Sequence, residues 1–441
     1  MISFNWCRLA PSAIHLLLVG LLSGMLAGCG SRPTPVPPPS EPPRVGPLTR
    51  NVEADPDLRV RIVNGANEIR IDSPNHVRVG SPGADQEKAT RVFNTPLVVR
   101  HNDQGFVLES VGGGIWRWRL DQLELHPVGA GTLKIGQRSV PGFVQLHGRR
   151  TAGNRALERL DAVNHVKLEA YLPGVVAAEL YPKWNDETFA AQAIAARSYA
   201  LWERHIHRHR HYDLEATTAS QAYAGTTTNR RVTRAVRRTR GEVVTFADRV
   251  LPTFYSSACG GTGQDAAAVI PAAPDLPPLR GRPHGPFCQK SEWYRWGPIV
   301  RNRQTLTQRL VAWGREKDHS LQHLRGIERI DVVRENNVGR PTRIRVTDTN
   351  KRRHVINAEW FRFACNYPTR TLPAPSREQN IRSSHVTIRT GDQRVVFHDG
   401  RGFGHGAGLC QWGAEGLAKR GYGYRRILLY YYPEAELLKL Y

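Results

Sequence analysis

Acidic residues are scarce in this sequence. Among 441 residues there are 39 Asp and Glu against 62 Lys and Arg, a formal net charge of +23. A field of that sign selects for a polyanionic partner. Membrane-length apolar runs are also missing. The one apolar stretch, within residues 1–29, is short, carries a single arginine, Arg8, and ends in small residues, so it reads as a secretory leader rather than a membrane-spanning helix. Cysteine is sparse, at six residues. A dinucleotide-binding fingerprint is absent as well, because the glycine-rich stretch near the end has Ala407 where G-x-G-x-x-G requires glycine.

Leu26-Ala27-Gly28-Cys29 resembles the bacterial lipoprotein box, so residues 1–28 are expected to be a lipoprotein-type signal peptide and Cys29 the lipidated N-terminus. Residues 29–50 form a linker in which "SRPTPVPPPSEPPRVGPLTR" has eight prolines. It cannot build a core and favours polyproline II, with a reach of roughly 60 Å at about 3.1 Å per residue. The protein is therefore expected to be exported and anchored to a membrane by lipid. Gly30 and Ser31, with no aspartate after the cysteine, favour the outer membrane facing the periplasm in a two-membrane source. In that compartment the polyanion is anionic wall glycan or lipid rather than nucleic acid.

Residues 51–150 alternate apolar and polar side chains in "LRVRIV", "EIRI", "HVRV", "FVLESV" and "TLKI" between glycine-rich turns, the period-2 pattern of half-buried strands. From about 155 to 441 the character is mixed. The fold class is α+β, a small β-rich N-terminal domain followed by a mixed α/β domain. "YLPGVVAAEL" (171–180) predicts a short helix with Pro173 in its first turn. Its apolar face runs through Leu172, Val175 and Val176 to Glu179, a carboxylate where the pattern asks for a core residue. Burial would raise its pKa and keep a proton available. The alternative is a structural carboxylate that caps backbone or pairs with an arginine such as Arg197. A longer helix follows, capped by Asn185 or Asp186, with Phe189, Ala193, Ala196 and Ala200 inward. Near the end, "RGFGHGAGLCQWGA" (401–414) sets Gly402, Gly404, Gly406 and Gly408 around His405. That many glycines imply left-handed backbone or a close approach.

Three segments together resemble the SpoIID/LytB family, the stage II sporulation protein D group of cell-wall proteins. They are "YLPGVVAAELYPKW…FAAQAIAARSYAL", "FYSSACGG" with "CQKSEWYRW", and "GRGFGHGAGLCQWGAEGLA…YRRILLYYYP". The resemblance covers roughly 155–441. It implies a peptidoglycan lytic transglycosylase acting on glycan strands, preferably without stem peptides, with Glu179 of "VVAAE" as general acid/base. It places Arg197, Tyr199, Ser257, His405, Gln411 and Trp412 on the substrate, with the glycines letting backbone approach the sugars. The alternative it allows is a non-catalytic murein-binding lipoprotein that recruits or stimulates a cell-wall amidase. A third reading, a thiol hydrolase with Cys259 as nucleophile and His405 as base, requires a free thiol.

In an exported protein Cys259, Cys288, Cys365 and Cys410 are expected to form two disulfides; Cys259–Cys288 and Cys365–Cys410 are the favoured pairs of three possible pairings. Some relatives place zinc near the "CGG" turn through Cys and His. This chain has Thr262-Gly263-Gln264-Asp265 there instead, which disfavours zinc at Cys259 without excluding it and favours the Cys259–Cys288 disulfide; no other cofactor is expected. Cys410 stands where relatives commonly carry serine or another small residue.

Overall fold

The structure, a computed structural model, describes residues 45–83, 90–111, 114–149 and 159–441. The leader, Cys29, most of the proline-rich linker and the proposed junction near 150–155 lie outside the described residues. Among those described, no helix is long and apolar enough to cross a membrane.

The alternating segments are strands. Leu58, Val60 and Ile62 point inward from Asp57–Ala66 while Arg59 and Arg61 point out to acidic partners. A seven-stranded sheet and a six-stranded sheet form from residues 57–167, with Leu214–Glu215 on the edge of the first. Asp57–Ala66 pairs antiparallel with Arg159–Lys167, so the first region shares a ladder with the chain that follows the described gap.

Arg159–Lys167 runs straight into helix α1, Leu168–Glu179, three residues earlier than the sequence predicts. The reason is a distant cap. Asp55 Oδ1 accepts the Glu169 N–H at 2.9 Å, serving an N-terminal donor that no local side chain reaches. Pro173 consequently sits inside the helix rather than in its first turn. Helix α2, Asp186–Ile206, starts as expected, with Asn185 Oδ1 accepting the Glu187 N–H at 2.9 Å. Its alanine stripe is fully buried against α1 and α3 (Arg230–Arg238), where small side chains permit close packing.

After Pro433 the chain closes with a short strand. Glu436–Lys439 pairs with Glu242–Phe246, returning the chain end to the helical layer. One continuous core runs from Leu58 through α1 and α2 to Ala435. A second core went unread in the sequence. Short helix α4 (Ala266–Val269) precedes a region in which α5 (Arg303–Glu316) and α6 (Ala358–Cys365) pack on two three-stranded sheets around Leu306, Leu310, Trp313, Val346, Phe361 and Phe397. This region is inserted between Tyr255–Ser256 and Leu409–Cys410, two short strands that pair parallel with each other. Helix α7 (Gln411–Ala418) and α8 (Tyr424–Tyr431) complete the first layer.

Candidate active site

Glu179 is the last residue of α1, where the helix stops. Three donors surround the carboxylate. Oε1 accepts the Ala222 N–H at 2.9 Å, Oε2 accepts from Gln411 Nε2 at 3.1 Å, and the Tyr255 hydroxyl also bonds it. These bonds favour ionisation, yet burial outweighs them and holds the Glu179 pKa above the usual carboxylate range. Part of the residue still reaches solvent. A carboxyl that is desolvated, hydrogen-bonded and approachable from one side is equipped to donate a proton and take it back.

Behind it the polar groups are fixed in sequence. Tyr171 Oη donates to Gln221 Oε1 at 3.2 Å, and Gln221 Nε2 reaches Tyr255 Oη at 3.0 Å and Ala196 O at 3.2 Å. Beside it stands an aromatic wall that the sequence reading found only in part. Trp412 lies 5.0 Å from Trp184 and 5.6 Å from Tyr181, ring centre to ring centre. Tyr181 is 55 % exposed, two residues beyond Glu179.

The residues assigned to substrate divide. Gln411 and Trp412 meet Glu179 and its wall directly. Ser257 contributes its carbonyl, which accepts the Trp412 N–H at 3.0 Å. Arg197 is a correction: it is fully buried and grips Glu169 with two bonds of 2.8 and 2.9 Å, with Nη1 donating to Glu242 O. It pairs with neither Glu179 nor anything outside the core. Tyr199 is also interior, packed among Trp202, Phe254 and Tyr255.

His405 is committed to backbone. Its Nδ1 accepts the Ala407 N–H at 3.0 Å and the ring also bonds the Tyr255 carbonyl, while burial lowers its pKa to about 4. The imidazole is neutral and ties the glycine loop to the residue whose hydroxyl bonds Glu179. All four glycines have positive φ, but the close approach they permit is internal. A Cβ on Gly408 would stand 2.1 Å from Phe254 O, and one on Gly406 would stand 2.1 Å from the Arg340 guanidinium. The loop is pressed on segment 254–260 rather than offered to a sugar.

The cysteines also depart from expectation: all four are free and buried. Cys365 belongs to the second core and Cys410 to the first, which rules out the favoured Cys365–Cys410 pair in this structure. Cys259 and Cys288 are neighbours with sulfurs 3.8 Å apart, unbonded. The hydrogen bond to Cys288 pushes the Cys259 thiol up to about 12. With both its nitrogens on backbone, His405 is not paired with a thiol.

The Arg197–Glu169 pair carries a stability prediction. Burial alone would raise the Glu169 pKa, but Arg197 and the Tyr441 hydroxyl more than offset it and leave the group below its ordinary value. A depressed carboxyl stabilises the fold above its unfolded pKa, and this contribution disappears as pH falls through the folded value. Arg197→Met leaves Glu169 buried and unpaired, an expected loss of about 3–5 kcal/mol at neutral pH. The loss should shrink in acid; equal losses at pH 7 and pH 3 in denaturant titrations would refute the pairing argument.

With this geometry in view, comparison with known proteins is direct. The profile of the family described as SpoIID, Stage II sporulation protein, matches residues 156–246, the segment holding α1, α2 and α3. An uncharacterized protein of Brachyspira hyodysenteriae is 30 % identical over 280 residues, covering 63 % of this chain and 68 % of that one. Stage II sporulation protein D of Bacillus subtilis is 25 % identical over 325 residues, covering 70 % of this chain and 81 % of its own. The amidase enhancer of the same organism is 23 % identical over 295 residues, which is 60 % of this chain but 40 % of the enhancer. The chain belongs to the SpoIID/LytB family, and with that membership comes a cell-wall-related role.

Proposed function

We propose that the protein is a lytic transglycosylase of peptidoglycan glycan strands, with Glu179 as its single acid/base. The observation that carries this reading is a solitary carboxyl of raised pKa. Hydrolysis of a glycosidic bond ordinarily uses two carboxylates. Here the carboxylates on neighbouring elements are engaged elsewhere: Glu169 by Arg197, Glu415 by Asn185 N–H and Thr188 Oγ1, and Glu203 by His207. One group suffices when the substrate supplies its own nucleophile. Glu179 protonates the bridging oxygen as the C1–O bond breaks, and the muramic 6-hydroxyl oxygen bonds C1. The Glu179 carboxylate then takes the hydroxyl proton, giving a 1,6-anhydro end without water.

The basic surface suits a strand stripped of peptides, whose lactyl groups are free carboxylates. On α3, Arg230, Arg234 and Arg237 are exposed in one row beside Thr227 and Thr228, lining a hollow of about 560 Å³. None of the three pairs with a carboxylate among the described residues. From Arg230 to Arg237 the helix rises about 10 Å, close to one disaccharide repeat of an extended β-1,4 glycan.

Mass spectrometry of fragments released from peptide-stripped murein tests the reaction. Anhydro-ended fragments are expected. Reducing ends would make it a hydrolase, and binding without release would leave a murein-binding protein that assists an amidase, the role named for the Bacillus subtilis relative. In this reading the body is tethered by lipid at Cys29, so Cys29→Ser should move the protein from the membrane to the soluble fraction of cells. Unchanged fractionation would remove the anchor.

A further inference from the structure

The inserted region carries a disproportionate share of the positive charge. Residues 289–400 hold 22 Lys and Arg against 11 Asp and Glu, close to half of the excess in the whole chain. Part of it is concentrated on one surface. The strands Ile327–Glu335, Pro341–Asp348 and Arg353–Asn357 form an antiparallel sheet. Its inner face, Ile330, Ile344, Val346 and Ile356, is buried in the second core. Alternation turns the residues between them outward.

The register sets the outer face in rows. Thr347 stands between Arg329 and Arg353, Arg345 between Asp331 and Val355, and Arg343 between Arg334 and Asn357. Five arginines thus share the face with one carboxylate, and Asp331 is already taken by Arg329 and Arg345. Of the acids at the strand ends, Glu328 pairs with Lys351 and Glu335 stands opposite Pro341. Arg334, Arg343 and Arg353 are exposed and have no acidic partner among the described residues, while Arg345 Nε is buried without an acceptor.

A solvated face ordinarily intersperses both signs. Like charges set opposite each other across a ladder, as Arg334 and Arg343 are, weaken it. An anion laid over the face removes that cost, and guanidinium forks match carboxylates two bonds at a time, which lysines do not. Spacing narrows the ligand. Two strand-to-strand steps separate Arg329 from Arg353, about 9.6 Å between backbones, the same interval that the α3 arginines span. A glycan with one free carboxylate per disaccharide fits it, and Val355, 52 % exposed beside Arg345, offers its sugar rings an apolar contact.

We propose that the outer face of this sheet is a second murein-holding surface, separate from Glu179, that binds the free carboxylates of peptide-stripped glycan strands. The choice of ligand rests on the function proposed above. The binding needs no Glu179 chemistry, so the two readings fail separately.

The test uses the full chain carrying Glu179→Gln, which is not expected to cut what it binds. Cosedimentation with peptide-stripped murein gives its affinity before and after Arg334→Gln, Arg343→Gln and Arg353→Gln are combined. The affinity is expected to fall about tenfold, the worth of three exposed charge contacts together. Amidating the carboxylates of the murein should produce a similar loss with the arginines intact. The thermal midpoint of the triple variant should match or exceed that of its parent, which separates lost binding from lost folding. Should the triple variant unfold, Arg353→Glu alone is expected to weaken binding. Equal affinities of variant and parent overturn the surface, and so does a loss seen only on vesicles of anionic phospholipid. If the unaltered protein cleaves nothing while the arginine variants still lose murein, the acid/base reading falls and the surface stands.

Discussion

Glu179→Gln is expected to lower the rate of glycan cleavage by about 10²–10⁴-fold, the usual worth of a positioned acid/base, while binding to murein persists. Glutamine keeps the shape of the side chain. Its oxygen can accept the Ala222 N–H, and a turn of the Gln411 amide presents an acceptor to its NH₂. What disappears is the transferable proton. The same substitution should change stability with a definite sign. In the folded protein burial raises the Glu179 pKa. At pH values above the unfolded pKa, the unfolded chain ionises more readily, so the wild-type carboxyl costs the fold stability that glutamine does not. Below the unfolded pKa both side chains are neutral and that cost vanishes. Thermal scans should therefore show Glu179→Gln gaining on the wild type at neutral pH and converging with it in acid. A stability difference that ignores pH would mean the carboxyl is not desolvated, and full cleavage by the variant would remove Glu179 from the chemistry. Wild-type cleavage should also decline as pH rises through the folded pKa, because only the protonated carboxyl can serve the leaving oxygen.

Why Glu179 could be found in the sequence, and much around it could not, has a physical reason. Helical periodicity is local, so a carboxylate interrupting the Leu172, Val175, Val176 face stands out, and the caps of α2 and the alternation of the N-terminal strands are equally local. The donors to Glu179 come from 43 and 232 residues away, and no spacing rule encodes such meetings. Gln411 and Trp412 entered through the family resemblance. Tyr181, Trp184, Tyr255 and Gln221 did not, although Tyr181 and Trp184 follow the catalytic candidate so closely that an aromatic pair beside it was a usable signal. Arg197 also entered through the resemblance; it is the partner of Glu169, which lies 28 residues earlier and outside the pattern considered. The glycines were correctly read as positive-φ positions pressed against something. That the something is segment 254–260 and a buried arginine depends on the inserted region, whose core left little imprint beyond scattered strands.

That arginine, Arg340, should be among the most damaging positions to alter outside the site itself. It is fully buried just before the strand Pro341–Asp348 of the second core. Its guanidinium donates to Cys259 O at 3.2 Å, Thr262 O at 3.0 Å, Gly404 O at 3.4 Å and His405 O at 3.0 Å. It thus joins the cysteine turn to the glycine loop and fastens both to the inserted region. Burial lowers its pKa, but guanidinium starts so high that it stays charged. Arg340→Met preserves apolar volume and leaves those carbonyls without donors. At about 1–3 kcal/mol for each buried group left unsatisfied, an expected loss above about 3 kcal/mol follows even when water recovers part of it. Arg340→Lys retains charge but presents one nitrogen to carbonyls on two segments, so it should recover only a fraction. Gly406→Ala should approach the methionine variant, since a side chain there meets φ +76° and the guanidinium at once. Chemical denaturation gives the ordering: wild type, then lysine, then methionine and Gly406→Ala together. The accompanying loss of cleavage should appear at temperatures where the lysine variant is still folded, because His405 holds Tyr255 and Tyr255 holds Glu179. If Arg340→Met unfolds at the wild-type midpoint, the two cores are held together elsewhere and the glycine loop does not need its arginine.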